Sequence, residues 1–233
     1  LHDGEKFIIE KYNIALTPSL QLFESRNLPP QQLKALTGGL TEPRQGFSAL
    51  PAVDTEITQI SKLIKNQTLL NEQFTRPQVQ NKIESAPFSV IHLATHGQFS
   101  SKAEDTFLLT WKDRINVKDL GKWLKTPSSN LRYREPIELL VLSACQTAKG
   151  DNRAALGLAG VAVRSGARST LATLWSVQDE STADLVTEFY RLLTQDGINK
   201  AQALRQAQLS LLKDTKYQHP YYWSPFVLVG NWQ

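Results

Sequence analysis

Two residues that could share thiol chemistry each follow a hydrophobic segment. His96 comes after residues 89–95, and the single cysteine, Cys145, comes after residues 137–144. Both segments predict buried strands. In an open parallel sheet, ligands bind beyond the carboxyl ends of the strands. If these two strands are neighbours, about 4.8 Å apart, His96 and Cys145 face one another across that crevice. An imidazole that takes up the thiol proton yields the thiolate that nucleophilic catalysis needs.

The residue after His96 adds to this interpretation. Gly97 has no side chain, so its N–H could approach a substrate carbonyl closely and, with the N–H of Cys145, form an oxyanion hole. The alternative is that Cys145 is a small buried apolar residue and His96 an ordinary hydrogen-bonded histidine. Taken singly, either residue favours that alternative. The presence of both at the ends of hydrophobic strands favours catalysis.

Other classes of site find no support in the sequence. The chain has no GxxxxGK[ST] or GxGxxG phosphate-binding motif, no HExxH and no GxSxG. His92 and His96 have the spacing of a helical zinc pair. On a strand, however, their imidazoles would lie about 13 Å apart, which is too far to share one metal. We therefore predict a site without a metal and without a cofactor.

The pattern of the elements predicts an α/β domain. Helical patterns over residues 54–65, 180–195 and from 199 onward alternate with short apolar segments, which implies a mainly parallel sheet with helices on both faces. Residues 1–32 differ, and we predict them to be a lead-in segment before a main domain over 33–233. The predicted strands are residues 33–40, 68–74, 89–96, 107–110, 137–144, 169–175 and 226–229.

The composition of the chain limits the classes of partner and the cellular location that we expect. The net charge of +4 comes from scattered basic residues in a chain of 233, which gives little support for nucleic-acid binding. One cysteine cannot form an internal disulfide, so we expect a reducing, cytoplasmic location. No apolar segment approaches the length of about 20 residues that a membrane span needs, and we expect no membrane partner. Because the chain begins at Leu1, we expect it to be a piece of a longer protein.

Motifs along the chain resemble one family. The segments His92-Leu-Ala-Thr-His96-Gly97 and Val141-Leu-Ser-Ala-Cys145-Gln-Thr are similar to the His–Gly and Ala–Cys signatures of caspase-like cysteine peptidases. More closely, the chain resembles the CHAT family, caspase-type domains often found behind tetratricopeptide repeats. The resemblance runs from about residue 7 to the end. Further matching segments are Ala167-Arg168-Ser-Thr-Leu-Ala-Thr-Leu-Trp175, Phe189-Tyr190-Arg-Leu-Leu and His219-Pro-Tyr-Tyr-Trp223.

This resemblance implies a fold, an activity and a partner. The fold would be a caspase-like three-layer sandwich, lacking the first strands of the family. The activity would be that of a cysteine endopeptidase on a protein substrate, with His96 as base and Cys145 as nucleophile. An upstream repeat domain, of the tetratricopeptide type, would control this activity. Cleavage of the chain within residues 146–156 would not activate it. Because Ser143 and Gln146 replace the residues typical of caspases, their aspartate preference is not expected here.

Three acidic residues are candidates for substrate binding. Asp179 and Glu180 follow the strand predicted at 169–175, where caspase-like folds build the pocket for the residue before the scissile bond. An acid there would favour Lys or Arg. Asp179 is equally well placed to cap the helix that follows. Asp105, in the loop after His96, is the weaker candidate, and a solvated surface position explains it as well.

Two other functions remain open at this stage. The chain could be a catalytically silent caspase-like scaffold that acts as a protein-interaction or signalling module, although a pure scaffold needs neither His96 nor Cys145. It could also be a redox-sensing thiol. The redox interpretation is weaker because no second cysteine is present to resolve a sulfenic acid.

Overall fold

Short hydrophobic segments of the chain pair into a central sheet. The computed structural model describes residues 2–17, 29–100, 103–125, 137–143, 146–147, 166–175 and 177–233. The strands in this part of the chain are β1 (Lys34–Gly39), β2 (Lys65–Leu70), β3 (Val90–Ala94), β4 (Gly97–Phe99), β5 (Phe107–Leu109), β6 (Arg114–Asn116), β7 (Leu139–Ser143), β8 (Gln146–Thr147), β9 (Ser169–Thr173) and β10 (Phe226–Gly230).

These strands form two sheets within the described residues. The larger has the order β10-β9-β7-β3-β1-β2, and its neighbouring strands are parallel except for β10, which runs antiparallel to β9. The smaller has the order β6-β5-β4-β8. Since only two residues separate the end of β3 from the start of β4, the short segment Thr95–His96 joins the two sheets.

Helices cover both faces of the larger sheet. Alternate side chains of a strand point to opposite faces, and neighbouring residues such as Val90 and Ile91 accordingly belong to two separate hydrophobic clusters. The helices of the described residues are α1 (Ala52–Leu63), α2 (Arg76–Ser85), α3 (Val117–Lys125), α4 (Asp179–Leu193), α5 (Lys200–Lys213) and α6 (Pro220–Trp223). One cluster includes residues of α2 and α3, and the other includes residues of α1, α4 and α5.

The sequence-based elements agree with the structure in type more than in extent. The mainly parallel sheet with helices on both faces is confirmed. The strand expected at 68–74 instead begins at Lys65, because its polar first half pairs with β1 at the edge of the sheet. Helix α1 begins at Ala52, after Pro51, and not at Asp54. Helices α2 and α3 were not predicted, and of the smaller sheet only β5 was, as the strand expected at 107–110.

The lead-in segment packs on the last strand. Leu16 donates its N–H to the carbonyl of Leu228 and accepts the N–H of Gly230, each at 2.8 Å. The ring of Phe7 meets the edge of Trp223 with 5.0 Å between centroids. The division of the chain into 1–32 and 33–233 stays a prediction. Among the described residues, no helix is both long and apolar enough to cross a membrane.

A buried polar cluster ties three elements together beneath the end of β3. The imidazole of His92 and the carboxylate of Glu56 on α1 are almost fully buried, with His92 Nε2 2.9 Å from Glu56 Oε1. His92 Nδ1 lies 3.2 Å from the hydroxyl of Tyr190 on α4. Burial, with the nearby Glu56, raises the pKa of Tyr190 well above its usual value, so the hydroxyl keeps its proton and can donate it to Nδ1.

Removal of the Tyr190 hydroxyl should therefore destabilise the domain. Tyr190→Phe leaves Nδ1 of a buried imidazole without its partner, and we expect the free energy of unfolding to fall by about 1–3 kcal/mol. Tyr12→Phe is the control, because Tyr12 is 63% exposed. Urea unfolding of both variants measures the difference. Equal midpoints for the two would show that the hydrogen bond contributes nothing to stability.

Candidate active site

The described residues on either side of Cys145 pair with residues on either side of His96. In the parallel pair of β3 and β7, Ala94 is the partner of Ser143, and the N–H of Thr95 reaches the Ser143 carbonyl at 3.2 Å. In the parallel pair of β4 and β8, Gln98 is the partner of Gln146. The strands that precede His96 and Cys145 are thus neighbours, which is the condition on which the sequence-based hypothesis of a dyad depends. Cys145 itself lies outside the described residues.

The ring of His96 is held by the loop that follows β1. Its Nε2 lies 2.8 Å from the backbone carbonyl of Ser48, and its face stacks on Phe47 with 4.9 Å between ring centroids and 30° between planes. A carbonyl oxygen can only accept, so Nε2 carries the proton. Nδ1 is then the acceptor of the neutral ring, the state that a general base requires.

The backbone of Gly97 fits the smaller sheet closely. The His96 carbonyl accepts the N–H of Leu109 at 2.8 Å and so faces β5. Because backbone groups alternate along a strand, the N–H of Gly97 points the other way, to the side where β8 pairs with β4. A Cβ on Gly97 would lie 2.9 Å from Leu108 Cδ2 and 3.1 Å from the Phe107 carbonyl. The packing of β5 therefore explains why this residue is a glycine.

Asp179 lies at the same end of the sheet but does not cap the helix that it begins. Its carboxylate accepts the N–H of Ala52, the first residue of α1, at 2.7 Å, and α4 is preceded by Gln178 without a side-chain cap. The expectation that Asp179 caps α4 is therefore wrong. Burial raises the pKa of Asp179 above its usual range. The Ala52 N–H and nearby His96 act in the opposite direction.

The other two acidic candidates are in different surroundings. Glu180 is exposed, and its carboxylate lies 2.8 Å from Lys216 Nζ. The hydrogen bond with Lys216 lowers the pKa of Glu180. Asp105 is also exposed, and its backbone carbonyl accepts a hydrogen bond from the side chain of Gln98 at 3.1 Å. His96 is among the groups that act on the pKa of Asp179, and it is not among those that act on Glu180.

Sequence reasoning missed the groups that hold His96 in place. Ser48 contributes a backbone carbonyl, which any residue type could supply, so no sequence signal marks it. Glu56, whose partner is His92 and not His96, did leave a signal, because it falls on the buried face of α1 with Val53 and Ile60. Across the described residues, no group of three or more His, Cys, Asp or Glu side chains could hold a metal ion.

Solved structures define the class of this fold. The complex of the pro- and mature domains of Porphyromonas gingivalis RgpB matches with a TM-score of 0.58 at 12% identity, over 89% of this chain and 50% of that one. The Drosophila initiator caspase Dronc matches with a TM-score of 0.53 at 7% identity, over 97% of this chain and 87% of Dronc. The chain thus spans about half the length of the RgpB chain. The fold is caspase-like.

The sequence places the chain more closely within this class. The pattern of the CHAT domain matches residues 1–231, and the chain belongs to the CHAT domain family. No curated protein sequence matches it. The sequence and the structure thus agree on a CHAT domain with a caspase-like fold.

The raised pKa of Asp179 predicts how stability depends on pH. A carboxyl with a higher pKa in the folded state binds its proton more readily when folded, so its contribution to the free energy of unfolding falls as the pH rises. Asp179→Asn keeps an oxygen that can accept from Ala52. We expect this variant to be more stable than the wild type at pH 7, and we expect the gain to vanish at about pH 4. Urea unfolding across this pH range measures the effect.

Glu180→Gln is the matched control with the opposite sign. Since Lys216 lowers the pKa of Glu180, the contribution of Glu180 is present at neutral pH and is lost as the pH falls. This variant should therefore be no more stable than the wild type at pH 7. The same pH dependence in both variants would contradict the burial of a destabilising carboxylate at position 179.

Proposed function

We propose that the chain is a cysteine endopeptidase that cleaves a protein substrate with a dyad of His96 and Cys145. The observation that carries the proposal is the pairing on both sides of the cysteine: Ser143 with Ala94, and Gln146 with Gln98. A chain that leaves β7 beside Ala94 and enters β8 beside Gln98 has only two residues between these points, and Cys145 is one of them.

The orientation of His96 supports its role as the base. With Nε2–H donated to the Ser48 carbonyl, Nδ1 is the nitrogen that takes the proton from the thiol of Cys145. The thiolate attacks the carbonyl carbon of the scissile peptide bond, and a tetrahedral oxyanion forms. The Ser48 carbonyl, which accepts from the ring, also stabilises the imidazolium that results.

The later steps use the same groups. The oxyanion rests on the N–H groups of Gly97 and Cys145. His96 gives its proton to the leaving amine, the carbon–nitrogen bond breaks, and a thioester to Cys145 remains. A water molecule that passes its proton to His96 then attacks this thioester. The acid product leaves, and the thiol regains its proton.

Asp179 is proposed to select the substrate residue before the scissile bond. Its carboxylate is half-buried at the same end of the sheet as His96. Burial destabilises the charged form of this carboxylate, and such destabilised groups are common in functional sites. A negative charge there favours Lys or Arg. One solved structure of the same fold, at 11% identity, is named an Arg-specific cysteine proteinase, gingipain R. Glu180 is already paired with Lys216, which makes it the poorer candidate.

Control is proposed to come from outside the domain. We expect an upstream repeat domain of the tetratricopeptide type to regulate access to the site or the arrangement of its loops. A cut within residues 146–156 is not expected to activate the protein. Activity that appears only after cleavage there would contradict this part of the proposal.

The dyad makes a direct prediction. In the full-length protein, Cys145→Ala and His96→Ala should each lower kcat/KM for a peptide library by about 10⁴-fold, because each removes a member of the catalytic unit. His96→Ala should also slow alkylation of Cys145 by iodoacetamide at pH 7 by about tenfold or more, because the thiolate loses its partner. Mass spectrometry of the peptide that contains Cys145 measures this rate.

His92→Gln is the matched histidine control, because His92 lies on β3, four residues before His96, and is fully buried. Provided that it folds, it should keep the alkylation rate of the wild type. Equal rates in wild type and His96→Ala, together with full peptidase activity, would overturn the dyad. Reactivity without any cleavage would favour the silent scaffold.

The charge of Asp179 predicts the specificity. We expect cleavage after Lys or Arg, and we expect Asp179→Asn to lower kcat/KM for these substrates by about a hundredfold, the loss typical of a desolvated charge without its partner. Glu180→Gln should leave the preference unchanged. An unchanged preference in Asp179→Asn would show that Asp179 only holds the start of α1.

A further inference from the structure

A tight turn stands at the tip of the loop between β1 and α1. Arg44 and Phe47 pair as an antiparallel bridge, with the Arg44 N–H donated to the Phe47 carbonyl at 3.2 Å and the return bond at 2.8 Å. Between them, Gln45 and Gly46 have φ values of 49° and 84°. Positive φ at both central residues is the mark of a type I′ turn, which fixes the direction of both flanking residues.

The turn is clamped to the smaller sheet on its other side. The guanidinium carbon of Arg44 lies 3.2 Å from the ring centroid of Trp111, which follows β5. The side chain of Gln45 donates to the Thr110 carbonyl at 3.4 Å. The backbone of Trp111 is itself fixed, because its backbone N–H donates to the Phe74 carbonyl at 2.9 Å. The stacked pair therefore joins the turn to an anchored part of the fold.

The base of the same loop is closed as well. The N–H of Leu50 donates to the Thr41 carbonyl at 3.0 Å, and Thr41 donates its own N–H to the side chain of Asn71 at 2.8 Å. At the far end, Ala52 is held by Asp179. Residues 41–50 are thus fixed at base and tip, and the two groups that touch His96 lie directly after the tip.

We propose that the Arg44–Phe47 turn is the positioning element for His96, with Arg44 acting through its stack on Trp111. The inference rests on the proposed role of His96 as the base. Phe47 covers one face of the imidazole, and Ser48 accepts the proton of Nε2. A change at the turn therefore alters which ring nitrogen carries the proton and where Nδ1 points. Arg44 and Gly46 are positioning residues that need not touch substrate.

Gly46 provides a clean test because a side chain there meets no other atom. A Cβ built on Gly46 has nothing within 4 Å, so Gly46→Ala acts only through its positive φ. Gly197 is a matched control: it has φ 79°, an equally open environment and a place at the end of α4, in another part of the fold. Both variants carry the same backbone penalty and the same added methyl group.

The expected results separate positioning from general destabilisation. In the full-length protein, Gly46→Ala should shift the ¹⁵N signals of the His96 imidazole. It should also move the pH profile of Cys145 alkylation by iodoacetamide and lower its rate at pH 7 by about tenfold or more. Gly197→Ala should match the wild type in all three. Signals of His96 are assigned by their loss in His96→Ala.

The stack of Arg44 on Trp111 is tested by a second pair of matched variants. Arg44→Lys keeps the charge but loses the planar stack on Trp111, and it should shift the His96 signals in the same direction as Gly46→Ala. Arg114→Lys removes a comparable stack, with the guanidinium carbon 4.1 Å from the Phe107 ring, without touching the turn. It should leave the His96 signals in place.

Two outcomes would count against the account in different ways. If Gly46→Ala leaves the ring signals and the pH profile unchanged, or if Gly197→Ala changes them equally, the positioning role is overturned while the dyad stands. If the single change His96→Ala, with the turn left intact, does not alter the reactivity of Cys145, the dyad itself fails, and with it the role of the turn in catalysis.

Discussion

The parallel pairing of β3 with β7 is the constraint on which this domain depends. It sets Ala94 beside Ser143, and one short step later the chain re-pairs, with Gln98 beside Gln146. The segment that carries His96 thus lies between two registered pairs. Backbone hydrogen bonds of a buried sheet are costly to break, so this arrangement does not depend on the side chains that carry the chemistry. The strands bring the two segments together, and loops refine the geometry.

One loop, residues 41–50, sets the orientation of the His96 ring and is connected to Asp179 through the start of α1. Residues 41–50 touch the histidine through Phe47 and Ser48, and the residue that follows the loop into α1 is held by Asp179. The carboxylate is thereby linked to the same structural unit as the base. Beneath them, Glu56 on α1 meets His92 on β3. Helix α1 is accordingly fixed at its start and along its buried face, which limits how far the loop can move.

The sequence was most informative where local pattern decides structure. Hydrophobic segments predicted the strands before His96 and Cys145, and the parallel sheet follows from their alternation with helices. Helix α2 escaped detection because only Val79 and Ile83 are buried on it, too few for a clear period. The partner of Asp179 could not be predicted, since Ala52 lies 127 residues away and long-range contacts leave no local pattern. The same holds for the carbonyl of Ser48.

The most direct test of the central claim is a crystal structure of the full-length protein in which Cys145 and its neighbours are visible. The account predicts that Sγ of Cys145 lies within about 4 Å of Nδ1 of His96, at the carboxyl end of β3 and β7, with the Ser48 carbonyl still on Nε2. A sulfur on the opposite face of the sheet, or one separated from the imidazole by packed side chains, would contradict it.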